Sequence, residues 1–143
     1  VITYDELICK YEDEVDVYEH PLRENPLVRK RKGKGFYYHD GKTKKGTALI
    51  EQSLTQIDKK CTLAEELGHH HTSSGNILNL KFPNSTKQER LAREWGAKQL
   101  IDHDDFITAL NTYDNIYQIA KELDVTYDIL IIYIDFVLRK SNL

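Results

Sequence analysis

The chain has 143 residues, 40% of them apolar and 30% charged, with a formal net charge of -3. Such a length supports one proper core and is short for two, and the mixed composition excludes disorder as the main state. No run approaches the ~20 apolar residues that cross a bilayer, and the acidic stretch Val1 to Glu19 does not read as an export signal, so a cytoplasmic location without a membrane partner is expected.

The charge is unevenly spread. Residues 1–20 hold one Lys against seven acids, whereas residues 21–47 hold nine Lys/Arg against two acids. The basic stretch, with Arg29-Lys30-Arg31-Lys32, reads as a solvated connection in preference to a nucleic-acid surface, because glycines and aromatics interrupt it. Cys9 and Cys61 lack metal-binding spacing and are read as reduced core thiols.

In chain order, Leu7, Ile8 and Tyr11 predict a short helix face over 4–11. Val15, Val17 and Tyr18 predict a strand that His20-Pro21 ends. Phe36 to His39 and Thr47 to Ile50 predict two more strands around Asp40-Gly41, together a small antiparallel sheet. Thr55 or Asp58 caps a helix carrying Ile57, Cys61, Ala64 and Gly68, closed by Ser73-Ser74-Gly75. The boxes Ser85/Gln88 and Thr86/Glu89 open a further helix to about Ile101, with Leu91, Ala92, Trp95 and Leu100 inward. Three helices follow, over 104–110, 115–123 and 126–140.

The fold class is thus α+β, a small sheet packed on a helix that carries the chemistry. Residues 1–103 are expected to form the chemistry-bearing domain, and 104–143 a helical C-terminal subdomain packed on it. On that helix, Glu65-Glu66-Leu67-Gly68-His69 follows the H-E-x-x-H pattern, in which positions four apart grip one ion and the glutamate between them takes a proton from metal-bound water. Glu65 stands where the first histidine would be; a carboxylate ligates, but it weakens the Lewis acidity left for water and suits harder ions. Glu89 is a third candidate ligand, and equally a capping-box acid. His70 and His71 cannot share the face of His69; they read as a solvated helix end, or one of them as a supporting or substrate-binding group. His20, His39 and His103 read as surface or turn residues.

A helix reading L-A-x-E-L-G-H followed by one reading E-x-x-A-x-x-[FW]-[AG]-A, here Leu63 to His69 and Glu89 to Ala97, resembles the ImmA/IrrE family of metallopeptidases, especially its phage and mobile-element members. The resemblance implies a zincin-like domain over 1–103 that cuts, or otherwise antagonises, helix-turn-helix repressors and so induces phage or mobile-element genes. It places Glu66 as catalytic base and Glu65, His69 and Glu89 at the metal, Zn2+ or another divalent ion such as Mn2+. Two positions depart from the pattern: Glu65 replaces a ligating histidine, and Asp102 stands where many relatives have proline. His70, His71 and Tyr113 are candidate oxyanion donors. Two alternatives are a non-catalytic antirepressor and a DNA-binding regulator, the latter because Ile119 to Tyr127 resembles a helix-turn-helix. The apolar, acid-bearing helix after that turn argues against a nucleic-acid partner.

Overall fold

The computed structural model describes residues 1–26, 33–72 and 86–141. Helix α1 spans Tyr4–Lys10; the Thr3 hydroxyl accepts from the Glu6 N–H at 3.1 Å, and Tyr4 and Leu7 point into the core. Strand β1 (Val15–His20) ends at Pro21 and a 3-10 turn, Leu22–Glu24. Strands β2 (Gly35–Tyr38) and β3 (Gly46–Glu51) follow, and β3 buries Gly46, Ala48 and Ile50 on one face with the period of two that a half-buried strand requires.

The sheet has the order β1-β3-β2. β2 runs antiparallel to β3, with Tyr38 opposite Thr47, but β1 runs parallel to it, with Val15 opposite Gly46. The expected all-antiparallel sheet is therefore corrected to a mixed one. Side-chain alternation reports which face of a strand is buried and carries no information on its direction. A hairpin through Gly41, whose φ of 76° suits glycine, fixes β2 against β3; β1 takes the other edge.

Helix α2 spans Gln56–Thr72, with the Asp58 N–H donating to the Thr55 hydroxyl at 3.2 Å. Helix α3 is Thr86–Leu100. Helix α4 (His103–Thr112) is capped by Asp102, whose carboxylate accepts from the Asp105 N–H, so the residue standing in place of proline starts a helix. Asn115 caps α5 (Ile116–Glu122), and α6 is Tyr127–Ser141. The expected closing turn at Ser73-Ser74-Gly75, the cap residue Ser85 and the basic run Arg29 to Lys32 lie outside the described residues.

A contiguous core draws on Leu7, Val15, Ile50, Leu67, Leu100 and Leu130, and so reaches from α1 through the sheet to α6. Lys60 crosses it. Only 1% exposed, its ammonium donates to the Ile2 carbonyl at 3.1 Å and to the Asp124 carboxylate at 2.7 Å. Asp124 lies in the left-handed region, with φ of 56°, at the turn between α5 and α6. That pair of helices has the outline of a helix-turn-helix, yet α6 buries Ile129, Leu130 and Tyr133 and leaves Asp128 and Asp135 exposed. A helix that enters a DNA groove needs the reverse arrangement.

Two core expectations are corrected. Leu91 is 37% exposed, because the face of α3 that meets α2 is the one carrying Ala92 and Gly96. Cys9 lies on the exposed side of α1, while Cys61 is buried; both thiols are free. Among the described residues no helix is long and apolar enough to cross a membrane.

Candidate metal centre

Small residues bring α2 and α3 together. A Cβ on Gly68 would collide with the Ala92 carbonyl, and one on Gly96 would stand 2.8 Å from the Ala64 carbonyl oxygen. This close approach lets short carboxylate and imidazole side chains of the two helices meet. His69, 8% exposed, places Nε2 3.5 Å from Oε1 of Glu89. Burial works to lower the His69 pKa, but the hydrogen-bonded Glu89 and the charges of Glu66 and Glu65 outweigh it, and the imidazole is held above its ordinary value.

Glu65 is directed elsewhere on the same interface. It forms a close ion pair with Arg93, whose Nη2 also lies 3.9 Å from Oε2 of Glu89. A fixed cation thus links two of the three sequence-predicted ligands. Glu66 is 6% exposed, and its Oε2 has no hydrogen-bond partner among the described residues. Burial pushes its carboxyl up to about 8, opposed by His69 and reinforced by Glu65 and Glu89. Strand β2 runs over this point: a Cβ on Gly35 would stand 2.7 Å from the Thr62 methyl and 3.5 Å from Cγ of Glu66. A side chain at residue 35 would crowd the very carboxylate that has a free oxygen.

The structure therefore joins His69 with Glu89, sets Glu66 beside them, and turns Glu65 to Arg93. A second group forms at the C-terminal end of α2, where donor atoms of Glu14, His70 and His71 all lie within 4.8 Å of one another and are capable of holding a divalent metal ion. Oε1 of Glu14 is 3.8 Å from Nε2 of His70 and 3.4 Å from Nε2 of His71. Burial, with help from His71, lowers the pKa of His70. Glu14 went unnoticed in the sequence because it sits in an acidic stretch far from the histidines; its place directly before Val15, the first buried strand residue, was the available signal. Of the candidate oxyanion donors, His70 and His71 belong to this second group, while the Tyr113 hydroxyl donates to Glu122 at 3.3 Å. A cavity of about 810 Å³ lies between Ile2, His103, Tyr133 and Phe136, and no residue of α2 lines it.

A small mixed sheet lies on a helix that carries a buried glutamate, and a Glu/His group able to hold a divalent metal ion stands at the end of that helix, an α+β arrangement consistent with a metallopeptidase-like protein. The chain belongs to the IrrE N-terminal-like domain family of peptidases, whose model matches residues 15–134. No curated protein matches it, and no solved structure does.

Proposed function

We infer that this protein is a metal-dependent endopeptidase whose substrate is a helix-turn-helix repressor, with Glu66 as the catalytic base and Glu65, His69 and Glu89 as the metal ligands. The observation that carries this reading is the Glu66 carboxylate, buried at the α2–α3 interface with one oxygen that has no hydrogen-bond partner among the described residues. Stranding a carboxylate in this way costs stability, and enzymes accept such costs where a group must act on something that arrives later.

The donor set is compatible with a divalent ion. His69 and Glu89 already converge, and Glu65 would complete an imidazole-and-two-carboxylate set on leaving Arg93, a combination suited to zinc or a harder ion. When bound, such an ion polarises the scissile carbonyl and lowers the pKa of its water. The remaining work falls to the chain. Glu66, its carboxyl held well above the ordinary carboxylate range by burial, takes the proton from the attacking water and returns it to the leaving amine. His69 is oriented by its contact with Glu89. Arg93 compensates the charge of two carboxylates on one interface. Strand β2, an outer strand of the sheet directly above Glu66, provides backbone against which an extended peptide can align.

The repressor as substrate, the expected cytoplasmic location and the induction of phage or mobile-element genes are supported by family membership and by the resemblance of Leu63 to Ala97. The test is Glu66→Gln against a cognate repressor: folding and metal content stay as in the wild type, and cleavage stops. Undiminished cleavage by that variant removes Glu66 from the role of base.

One observation favours a second reading. The Arg93–Glu65 ion pair already neutralises a carboxylate that the ion would need, as expected of an antirepressor that binds its target without cutting it. Metal analysis of the purified protein separates the two: a chain that takes up neither zinc nor manganese at His69 and Glu89 is a binder.

A further inference from the structure

We propose that Glu14, His70 and His71 form a second divalent-metal site, separate from the His69 centre, that fastens the last turn of α2 to the start of β1. Successive residues on a helix are about 100° apart, so His70 and His71 leave the face that His69 presents to Glu89. They are drawn instead to Glu14, which stands at the entry to β1.

The donors are of the right kind and are nearly in place. Two imidazoles and one carboxylate are a common zinc set, and around a tetrahedral ion with bonds of ~2.0–2.2 Å neighbouring donors are about 3.3–3.6 Å apart. Oε1 of Glu14 is 3.4 Å from His71 and 3.8 Å from His70, and all three donors lie within 4.8 Å of one another, so a modest closure brings them to that spacing. Among the described residues these three make the group, and water or a further donor would complete a tetrahedral set.

Each donor is also held by a group behind it. The Tyr37 hydroxyl engages Nδ1 of His70 at 2.5 Å, which leaves Nε2 to face the site, the arrangement that orients ligating histidines. The His71 ring stacks on Trp95 at 4.4 Å with planes 9° apart, and Tyr11 meets its edge. The backbone of Glu14 is pinned on both sides: its N–H donates to the Tyr11 carbonyl at 2.9 Å, and its carbonyl accepts from the Gly46 N–H at 3.0 Å. Ordinary surface His–Glu pairs lack such support.

The experiment counts zinc per chain by elemental analysis after chelator treatment and dialysis against zinc, with thermal unfolding alongside. The double variant Glu14→Gln, His71→Asn is expected to bind one zinc fewer than the wild type, whatever the His69 centre holds. His69→Gln keeps one zinc, which the two further substitutions remove, and zinc in excess raises the unfolding temperature of His69→Gln by roughly 5–10 °C but not that of the triple variant. Equal zinc content in the wild type and the double variant overturns the proposal. So does a folded His69→Gln variant that binds no zinc. Because the first comparison needs no His69 variant and no cleavage assay, loss of the peptidase reading leaves it standing.

Discussion

Two buried glutamates, Glu51 at the end of β3 and Glu66 in the middle of α2, are driven in opposite directions by one protein. Glu51 is 2% exposed, yet its oxygens accept from the Arg23 N–H at 2.8 Å and the Ser53 N–H at 2.7 Å. Hydrogen bonds from Ser53 and Arg23 hold its carboxyl at about 2. Glu66 also has little accessible surface, 6%, but its carboxyl lies deeper among protein atoms, one oxygen has no hydrogen-bond partner among the described residues, and desolvation carries it to about 8. A small accessible surface does not by itself set the state of a carboxyl; the depth of its desolvation and the donors supplied with it do. At Glu51 the donors make a structural anion that closes the turn after β3, and at Glu66 desolvation leaves a group able to exchange a proton.

The largest effect that would break this contrast is on activity. Glu66→Gln should lower repressor cleavage by roughly 10²–10⁴-fold while the unfolding temperature stays level or rises, since no hydrogen bond to Oε2 is lost. A large fall in stability would make Glu66 structural, as Glu51 is. Glu51→Gln should do the opposite in chemical denaturation, costing about 2–3 kcal/mol because hydrogen bonds to a charged acceptor are weakened and one amide donor is turned toward another. The same residue predicts an acid limb. Its folded pKa lies below its unfolded value, so its contribution is complete above the ordinary Glu range near 4.5 and is lost as the pH falls toward 2. Acid unfolding followed by circular dichroism should show a shallower loss of stability over that window in Glu51→Gln; an unchanged slope would remove Glu51 as its source.

Smaller effects sharpen the Glu66 side. Gly68→Ala should destabilise by about 1–3 kcal/mol in thermal or denaturant unfolding, because the added methyl collides with the Ala92 backbone. Unaltered stability would mean that the interface between α2 and α3 is looser than its geometry. Arg93→Met should tighten zinc at the His69 centre about tenfold in a competition titration, by freeing Glu65 and the outer oxygen of Glu89. Weaker binding would instead make Arg93 a support for the ligands.

Much of this architecture is legible in the residues. His20-Pro21 marks where β1 ends, Thr55 and Asp58 where α2 begins, and Glu66 and His69 stand together within the motif that points to metal chemistry. What escapes is what depends on partners distant in sequence. The direction of β1 relative to β3 leaves no trace in the alternation of Val15 and Val17. Leu91 satisfies a helical period, but the close packing of Ala92 and Gly96 decides which face turns inward. The opposite behaviour of Glu51 and Glu66 is equally invisible, since it rests on donors from Arg23 and Ser53 on one side and on the depth of desolvation on the other. The pairing of Glu65 with Arg93 spans 28 positions and appears only once α2 and α3 are set side by side.

Lys60 has a consequence for how the chain finds a unique arrangement. Its ammonium is enclosed with a carboxylate on the α5–α6 turn as its counter-charge and a carbonyl near the N-terminus as its second acceptor. Any misdocked placement of the last two helices that still covered α2 would trap a cation without an anion, at a cost of several kcal/mol. The lysine therefore acts as a checkpoint on assembly. Apolar contacts tolerate sliding, but this charge accepts only the register in which Asp124 arrives.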